Sequence, residues 1–114
     1  AVFGAANLVS AQRTGATAVL DGTAVSVPLT APGPDGAGTV MLRQEDLHLA
    51  AQGDATARVP VEIITQVYRG ADIVYVVELA GQRLRVVRPR HEATIPAGPA
   101  ALGWRDGSAL WIPA

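Results

Sequence analysis

The most concentrated group of charged side chains in the sequence is Arg43, Glu45 and Asp46. Such a group can dock a partner domain. It can also fix a turn, because Glu45 or Asp46 can accept hydrogen bonds from backbone N–H groups while Arg43 pairs with one of these carboxylates. We favour the turn-fixing interpretation, since caps and surface ion pairs are common in folded domains.

Residue types that would support catalysis or metal binding are scarce. The chain has no Cys and no Lys, which excludes thiolate ligands, Cys nucleophiles, Schiff-base lysines and the lysine of a P-loop. His48 and His91 are the only histidines, and the proximity of His48 to Asp46 does not make a ligand set. No serine has the context of a nucleophile elbow; the serines considered are Ser10, Ser26 and Ser108. We therefore predict no catalytic residue, metal or cofactor in this chain, and no enzymatic activity of its own.

Four arginines follow one another closely late in the chain: Arg83, Arg85, Arg88 and Arg90. A single-strand nucleic-acid site would add aromatic stacking platforms to such a track, and aromatic residues make up only 4% of the chain. The net charge of −1 gives no general attraction to nucleic acid. We interpret the arginines as a solvated face or a subunit contact, with donation to a bound small molecule or oxyanion as the alternative.

Two aromatic residues are candidates for contact with a partner, Tyr68 and Trp104. Tyrosine and tryptophan are common anchors in protein interfaces. Trp104 could equally plug the end of a barrel, and Tyr68 also fits a packing position on a strand. Together with Arg43, Glu45 and Asp46, these two residues complete the predicted partner-contact or turn-fixing set.

The elements that must position these residues are strands. Apolar residues alternate with polar ones between residues 57 and 88, with breaks at 69–72 and at Ala80-Gly81. This pattern predicts a three-stranded meander that ends at Pro89, because proline cannot donate a hydrogen bond to a β-ladder.

The first half of the chain has a similar pattern. Residues 16–20 and 23–27 predict two strands joined by a tight type I′ turn at Asp21-Gly22. Residues 31–38 read as a loop, residues 39–42 as a buried strand, and residues 45–50 as either one helical turn or the start of a strand. No segment has the sustained periodicity of a long helix.

The order of these features repeats. A hairpin whose second strand runs into proline occurs at residues 19–28 and again at residues 78–89, and residues 38–43 parallel residues 98–103. We therefore predict an all-β fold of OB-fold-like barrels, built from two related halves at about residues 1–54 and 55–114 of a single domain. The chain of 114 residues is long enough to fold alone, and no apolar run approaches the roughly 18 residues of a membrane span. Because it starts without Met or a leader, we expect it to be a piece of a larger protein.

Four motifs, in this order, carry a resemblance to a known family. They are Phe3-Gly4-Ala5-Ala6-Asn7-Leu8, then Leu42-Arg43-Gln44-Glu45-Asp46-Leu47, then Tyr68-Arg69-Gly70 with Tyr75-Val76-Val77-Glu78-Leu79, and finally Leu102-Gly103-Trp104 through Leu110. They resemble the C-terminal transport-associated OB (TOBE) region of ABC-importer ATPase subunits, with Gln44 in place of that family's proline.

The resemblance implies a role in regulation and in dimerisation with a second copy of the subunit. It also implies an upstream nucleotide-binding domain, absent from this chain, that binds ATP and Mg²⁺ and contacts the membrane permease subunits. The setting would be the cytoplasmic face of a bacterial membrane. The short form of the domain is most similar to that of polyamine and ferric-iron importers. The alternative is a module that senses a small molecule or an oxyanion; nucleic acid is not an expected partner.

Overall fold

The computed structural model describes residues 2–3, 6–50, 59–92 and 94–114. In this part of the chain the regular structure is eleven β-strands and one 3₁₀ turn. The first six strands are β1 (Val2–Phe3), β2 (Ala6–Thr14), β3 (Thr17–Leu20), β4 (Ser26–Pro28), β5 (Gly36–Arg43) and β6 (Leu47–Ala50). The other five are β7 (Val59–Arg69), β8 (Asp72–Leu79), β9 (Gln82–Pro89), β10 (Gly98–Trp104) and β11 (Leu110–Pro113). The predicted all-β class without a long helix is confirmed.

The strands form two curled antiparallel sheets of the OB-fold type, and the two sheets have the same internal order. The first runs β11-β5-β2-β3-β4, with β1 added beside β2, and the second runs β6-β10-β7-β8-β9. In each sheet three consecutive strands form a meander, and a fourth strand pairs with the first strand of that meander. The fourth strand is β5, beside β2, in the first sheet and β10, beside β7, in the second. The duplication read from the sequence therefore recurs in the order of the strands.

The two halves exchange their last strands. β6 follows β5 in the chain but pairs with β10 of the other sheet, with Leu47 opposite Trp104. β11 follows β10 but pairs with β5, with Trp111 opposite Val40. Each sheet is therefore completed by a strand from the other half of the sequence.

The predicted meander is confirmed as strands β7, β8 and β9, although residues 57 and 58 lie outside the described residues. A bulge interrupts the pairing of β7 with β8 between Ile63 and Thr65. Because a bulge adds one residue to one strand, the side chains beyond it change face relative to those before it. β10 pairs with β7 only as far as Ile63, so residues 64–69 have a strand on one side only.

The type I′ turn predicted at Asp21-Gly22 is wrong. Strands β3 and β4 are joined by a five-residue loop in which the N–H and the hydroxyl of Thr23 both donate to the carbonyl of Leu20. The Thr23 side chain thus closes a wider loop than the dipeptide suggested. The two-residue turn with left-handed backbone at both positions lies instead at Ala80-Gly81, where φ is 48° and 81°.

The ambiguous segment at residues 45–50 contains both alternatives. Residues Gln44–Asp46 form the 3₁₀ turn and β6 follows directly. The loop predicted at residues 31–38 lies at residues 29–35, because β4 ends at Pro28 and β5 begins at Gly36.

One contiguous apolar core joins the two sheets. Its members include Val40 and Leu42 from the first sheet and Val77, Leu84 and Leu102 from the second. The loop after β3 and the turn after β8 also meet, since a Cβ placed on Gly22 would lie 3.1 Å from the Cβ of Ala80.

Candidate functional site

The free end of the β7–β8 hairpin is the most exposed apolar surface described in the structure. Ile64, Val67 and Tyr68 are 39%, 53% and 55% exposed, and all three lie on the part of β7 that lacks a strand on its outer side. Arg69 and Asp72 flank the tip of the hairpin and approach each other to 4.0 Å. We call these five residues the hairpin-end surface; it takes in both faces of the hairpin, because neighbours on a strand such as Val67 and Tyr68 point to opposite sides.

Tyr68 also contacts the segment that follows β9. The guanidinium of Arg90 lies 5.3 Å from the centre of the Tyr68 ring, a cation–π geometry. The backbone N–H of Arg90 donates to the carbonyl of Ala71 at 2.8 Å. Residue 90 thus anchors the tip of the hairpin and fixes one face of the Tyr68 ring, while the rest of the ring stays open to a partner.

A cleft of about 540 Å³ lies beside the hairpin-end surface. Its lining residues are Gln44, Glu45, Arg69, Asp72, Val87, Arg88 and Pro89. The positive charge of Arg88 is largely compensated, because its guanidinium donates to both carboxylate oxygens of Glu92. That hydrogen bonding from Arg88 lowers the pKa of Glu92, against a smaller opposing effect of desolvation.

The structure separates the three charged residues of the predicted cluster. Arg43 is exposed at the end of β5, and Glu45 lines the cleft. Asp46 does not pair with Arg43: its Oδ1 lies 3.0 Å from the guanidinium of Arg105, and its carbonyl accepts from the Arg105 N–H. Arg43 occupies the N-cap position of the 3₁₀ turn, and no side chain there makes a capping bond. The pair of Asp46 and Arg105 therefore joins the two segments through which the chain crosses between sheets.

Trp104 lies in the core. It is 2% exposed and belongs to the apolar cluster shared by the two sheets. Trp104 was considered either as an interface anchor or as a residue packed in the end of a barrel. The structure shows it packed inside, with almost no ring surface exposed to a partner. Tyr68 is thus the aromatic residue of the predicted set that reaches the surface.

The remaining predicted polar residues are dispersed. Arg83 and Arg85 are exposed on β9, as expected for a solvated face. His48 lies on β6 opposite Gly103, and a Cβ on that glycine would come within 2.1 Å of the imidazole Nε2. His91 is exposed. Within residues 2–3, 6–50, 59–92 and 94–114, no three His, Asp or Glu side chains gather in a way that could hold a metal ion.

Two buried polar residues were given no role from the sequence, Asn7 and Arg13, which are 0% and 4% exposed. The carboxamide of Asn7 donates to the carbonyl of Arg85 at 2.7 Å and accepts from its N–H at 2.8 Å, joining β2 to the edge strand β9. Arg13 lies on the inward side of β2 with Val9 and Ala11, so strand alternation could have indicated that it is buried. Nothing in the sequence indicated the partners of either side chain.

No helix in the described part of the chain has the length and apolar character needed to cross a membrane. A comparison with curated protein sequences gave no match. A comparison with family models matched residues 40–112 to the TOBE domain, a span that runs from within β5 to within β11 and takes in the hairpin-end surface. On this match, which covers more than half of its length, the chain belongs to the TOBE domain family.

Proposed function

We propose that the chain is the C-terminal regulatory and dimerisation domain of an ABC-importer ATPase subunit, without catalytic activity of its own. The observation that carries this proposal is the family match over residues 40–112, since TOBE domains occur at the C-terminus of such ATPases. ATP and Mg²⁺ would bind to the nucleotide-binding domain of the subunit. That domain would contact the permease subunits at the cytoplasmic face of a bacterial membrane, in an importer of polyamines or ferric iron.

The hairpin-end surface is the contact that we assign to the second copy. Its apolar side chains would lose water on contact, and aromatic residues such as Tyr68 often contribute strongly to binding. It carries one positive and one negative side chain at its tip, Arg69 and Asp72. In a two-fold contact, if one residue touches a second residue of the partner, that second residue touches the first residue of the partner. Two opposite charges on one surface can therefore pair with each other across the interface.

The mechanism would be a coupling between domains. Two copies held at this surface would keep their ATPase domains close together while these open and close. A conformational bias at the TOBE domain would then change how readily ATP is hydrolysed. The chain supplies the contact, and the chemistry occurs elsewhere in the subunit.

Sedimentation of the 114-residue chain over a wide concentration range tests the dimer contact. We expect self-association, and we expect Val67→Ser with Tyr68→Ser to weaken it by roughly tenfold or more, because large interface side chains contribute most of the binding energy. Val19→Ser is the matched control: Val19 is 39% exposed but lies on β3, in the other sheet.

Equal weakening by the control and by the double variant would contradict the assignment of this surface.

The non-catalytic part of the proposal has a separate test. The purified chain should release no phosphate from ATP with Mg²⁺, and hydrolysis that survives repurification would overturn that part.

A further inference from the structure

The outer edge of β7 is open along its second half. β10 stops pairing with β7 at Ile63, next to the bulge, and residues 64–69 pair with β8 alone among the described strands. An unpaired strand edge presents a row of N–H and carbonyl groups to which another strand can bind. The side chains of Ile64, Val67 and Tyr68 along this edge are all exposed, so a second strand has access to it.

The segment before β10 does not pair with this edge. Ile95 lies three residues before the start of β10 and would be level with Gln66 if the pairing continued. Its carbonyl instead accepts from Nε2 of Gln66 at 3.0 Å, and its N–H donates to the hydroxyl of Tyr75 at 3.3 Å. Because both backbone groups of Ile95 bind to side chains, they are not used for the backbone of β7.

The β7–β8 hairpin determines which backbone groups of the edge point outward. The residues on either side of its two-residue turn face each other as a hydrogen-bonded pair, and hydrogen-bonded and non-hydrogen-bonded pairs alternate from there. Thr65 and Val67 therefore direct their N–H and carbonyl groups to β8. Gln66 and Tyr68 direct theirs away from β8, with the spacing of two residues that a new antiparallel strand needs.

A row of valines crosses the second sheet and ends at this edge. Val87 of β9 lies opposite Val74 of β8, and Val74 lies opposite Val67 of β7. Val74 is 8% exposed, whereas Val67 is 53% exposed. Directly opposite β-branched side chains on one face of a sheet stabilise the pairing of its strands. A strand that placed another valine beside Val67 would continue the row and cover it.

Given the dimer contact proposed for the hairpin-end surface, we propose that the second copy binds through its own β7 edge. The two edges pair antiparallel, with Val67 opposite the partner's Val67, and join the two five-stranded sheets into one. Tyr68 and the partner's Gln66 exchange backbone hydrogen bonds, and the same pair recurs on the other side of the two-fold axis. Such a contact also covers both faces of the hairpin, to which Val67 and Tyr68 point separately.

The length of the open edge fits this register. Residues 65–69 lie opposite residues 69–65 of the partner, and the turn at Gly70 lies opposite Ile64. The partner's β10 begins beside Ile63, so the turn of one copy ends where β10 of the other copy begins. A shift of two residues in one direction would bring the turn against that strand. A shift in the other direction would separate the valines and leave fewer hydrogen-bonded pairs.

Amide hydrogen exchange of the intact chain tests the backbone pairing. Sedimentation defines a dilute sample that is monomeric and a concentrated sample that is dimeric. We expect the N–H groups of Gln66 and Tyr68 to exchange roughly tenfold or more slowly in the dimer, because they donate to carbonyls of the partner. The N–H groups of Thr65 and Val67 are the matched controls. They are already bonded to β8 in the monomer and should slow much less.

The two ways in which this experiment can fail are distinguishable. A dimer in which the N–H groups of Gln66 and Tyr68 exchange as fast as in the monomer overturns the edge pairing but leaves the dimer contact standing. A chain that stays monomeric at every concentration overturns both.

Single cysteines test the register, since the chain has no Cys of its own. In the proposed pairing the two copies of residue 67 form a non-hydrogen-bonded pair with Cα atoms about 4.5 Å apart, which is within disulfide range. With oxidised glutathione, Val67→Cys should form a disulfide-linked dimer at least roughly tenfold faster than Thr65→Cys. Residue 65 is exposed on the same strand and face, but it lies opposite the partner's Arg69. Equal rates for the two variants would overturn this register.

Discussion

The side chain of Asn7 makes the hydrogen bonds to the backbone of Arg85 that a neighbouring strand would otherwise make. A carboxamide carries one acceptor and one donor group, as a peptide unit does, and Asn7 uses both on the outer edge of β9. Asn7→Ala would leave these backbone groups without partners. We expect it to lower the free energy of unfolding by roughly 2–3 kcal/mol, measured by urea denaturation.

Ser10→Ala is the matched control for this change. Ser10 lies on the same strand, is exposed, and should alter stability by less than about 0.5 kcal/mol. Equal effects of the two substitutions would mean that the Asn7 bridge does not stabilise the fold.

Ala80 is strained in the turn between β8 and β9. Its φ of 48° lies in the left-handed region, which disfavours residues with a Cβ by about 1 kcal/mol, whereas asparagine tolerates it. Ala80→Asn should therefore raise the melting temperature, with a gain in stability of roughly 0.5–1 kcal/mol. Ala71→Asn, in the neighbouring hairpin turn and without positive φ, should give no such gain. A gain shared by both variants would show that the backbone of Ala80 is not its cause.

For single residues, the sequence indicated which side chains are buried better than it indicated their hydrogen-bond and ion-pair partners. Alternation along β2 is enough to place Val9 and Ala11 inside, and Arg13 continues the same pattern. The partner of Asn7 lies on β9, far along the chain, and strand periodicity carries no information about a contact of that range. Asp46 shows the same limit, because its ion pair is with Arg105 and not with its neighbour Arg43.

The ion pair at the end of β9 makes a prediction about pH. Arg88 holds the pKa of Glu92 below its ordinary value of 4.5. A carboxyl group whose pKa is lower in the folded state stabilises the fold above the unfolded pKa, and this stabilisation is lost as the pH falls through the folded pKa. Glu92→Gln should therefore lower stability at pH 7, and the difference from wild type should disappear well below pH 4.5.

The expected size of this effect is below about 1 kcal/mol, because the Glu92 side chain is 39% exposed and solvent screens the pair. Glu45→Gln is the control, since Glu45 is exposed and forms no ion pair with a described residue. Thermal melts of both variants at pH 7 and at low pH are the measurement. A deficit of Glu92→Gln that persists unchanged at low pH would contradict the prediction.

The strands themselves were largely predictable, and one of the turns was not. Alternation and Pro89 were enough to indicate β7, β8 and β9. Asp21-Gly22 had the composition of a tight turn, but the Thr23 side chain organises a longer loop. Short-range composition does not account for a side chain that competes with the backbone for the same carbonyl.

The whole molecule depends on the exchange of β6 and β11 between the halves. Because each sheet ends in a strand from the other half, we expect fragments 1–54 and 55–114 to be unfolded separately. Mixed in equal amounts, they should recover the β-sheet circular dichroism of the intact chain. A first fragment shortened to residues 1–46 lacks β6 and should restore much less. Independent folding of either long fragment would show that the exchange is not needed for stability.

The repeat of the halves was predictable from the order of hairpins and prolines, but the exchange was not. The short apolar pattern of β6 fits either sheet equally well, since periodicity states which side chains point inward and not which strand lies alongside. The 3₁₀ turn at residues 44–46 lies at the point where the chain leaves β5 and crosses to β10.

The exchanged strands also set the order in which the molecule can be assembled. β5 pairs with β11, in which Trp111 lies beside Val40. The first sheet is therefore incomplete until β11 has been synthesised, although its other strands are made much earlier. Such a topology has a high contact order, and chains of this kind fold slowly because distant segments must meet before their contacts are gained. On the ribosome the domain would therefore emerge as an incomplete sheet with the edge of β5 uncovered. It would reach its native state only after β11 has left the ribosome.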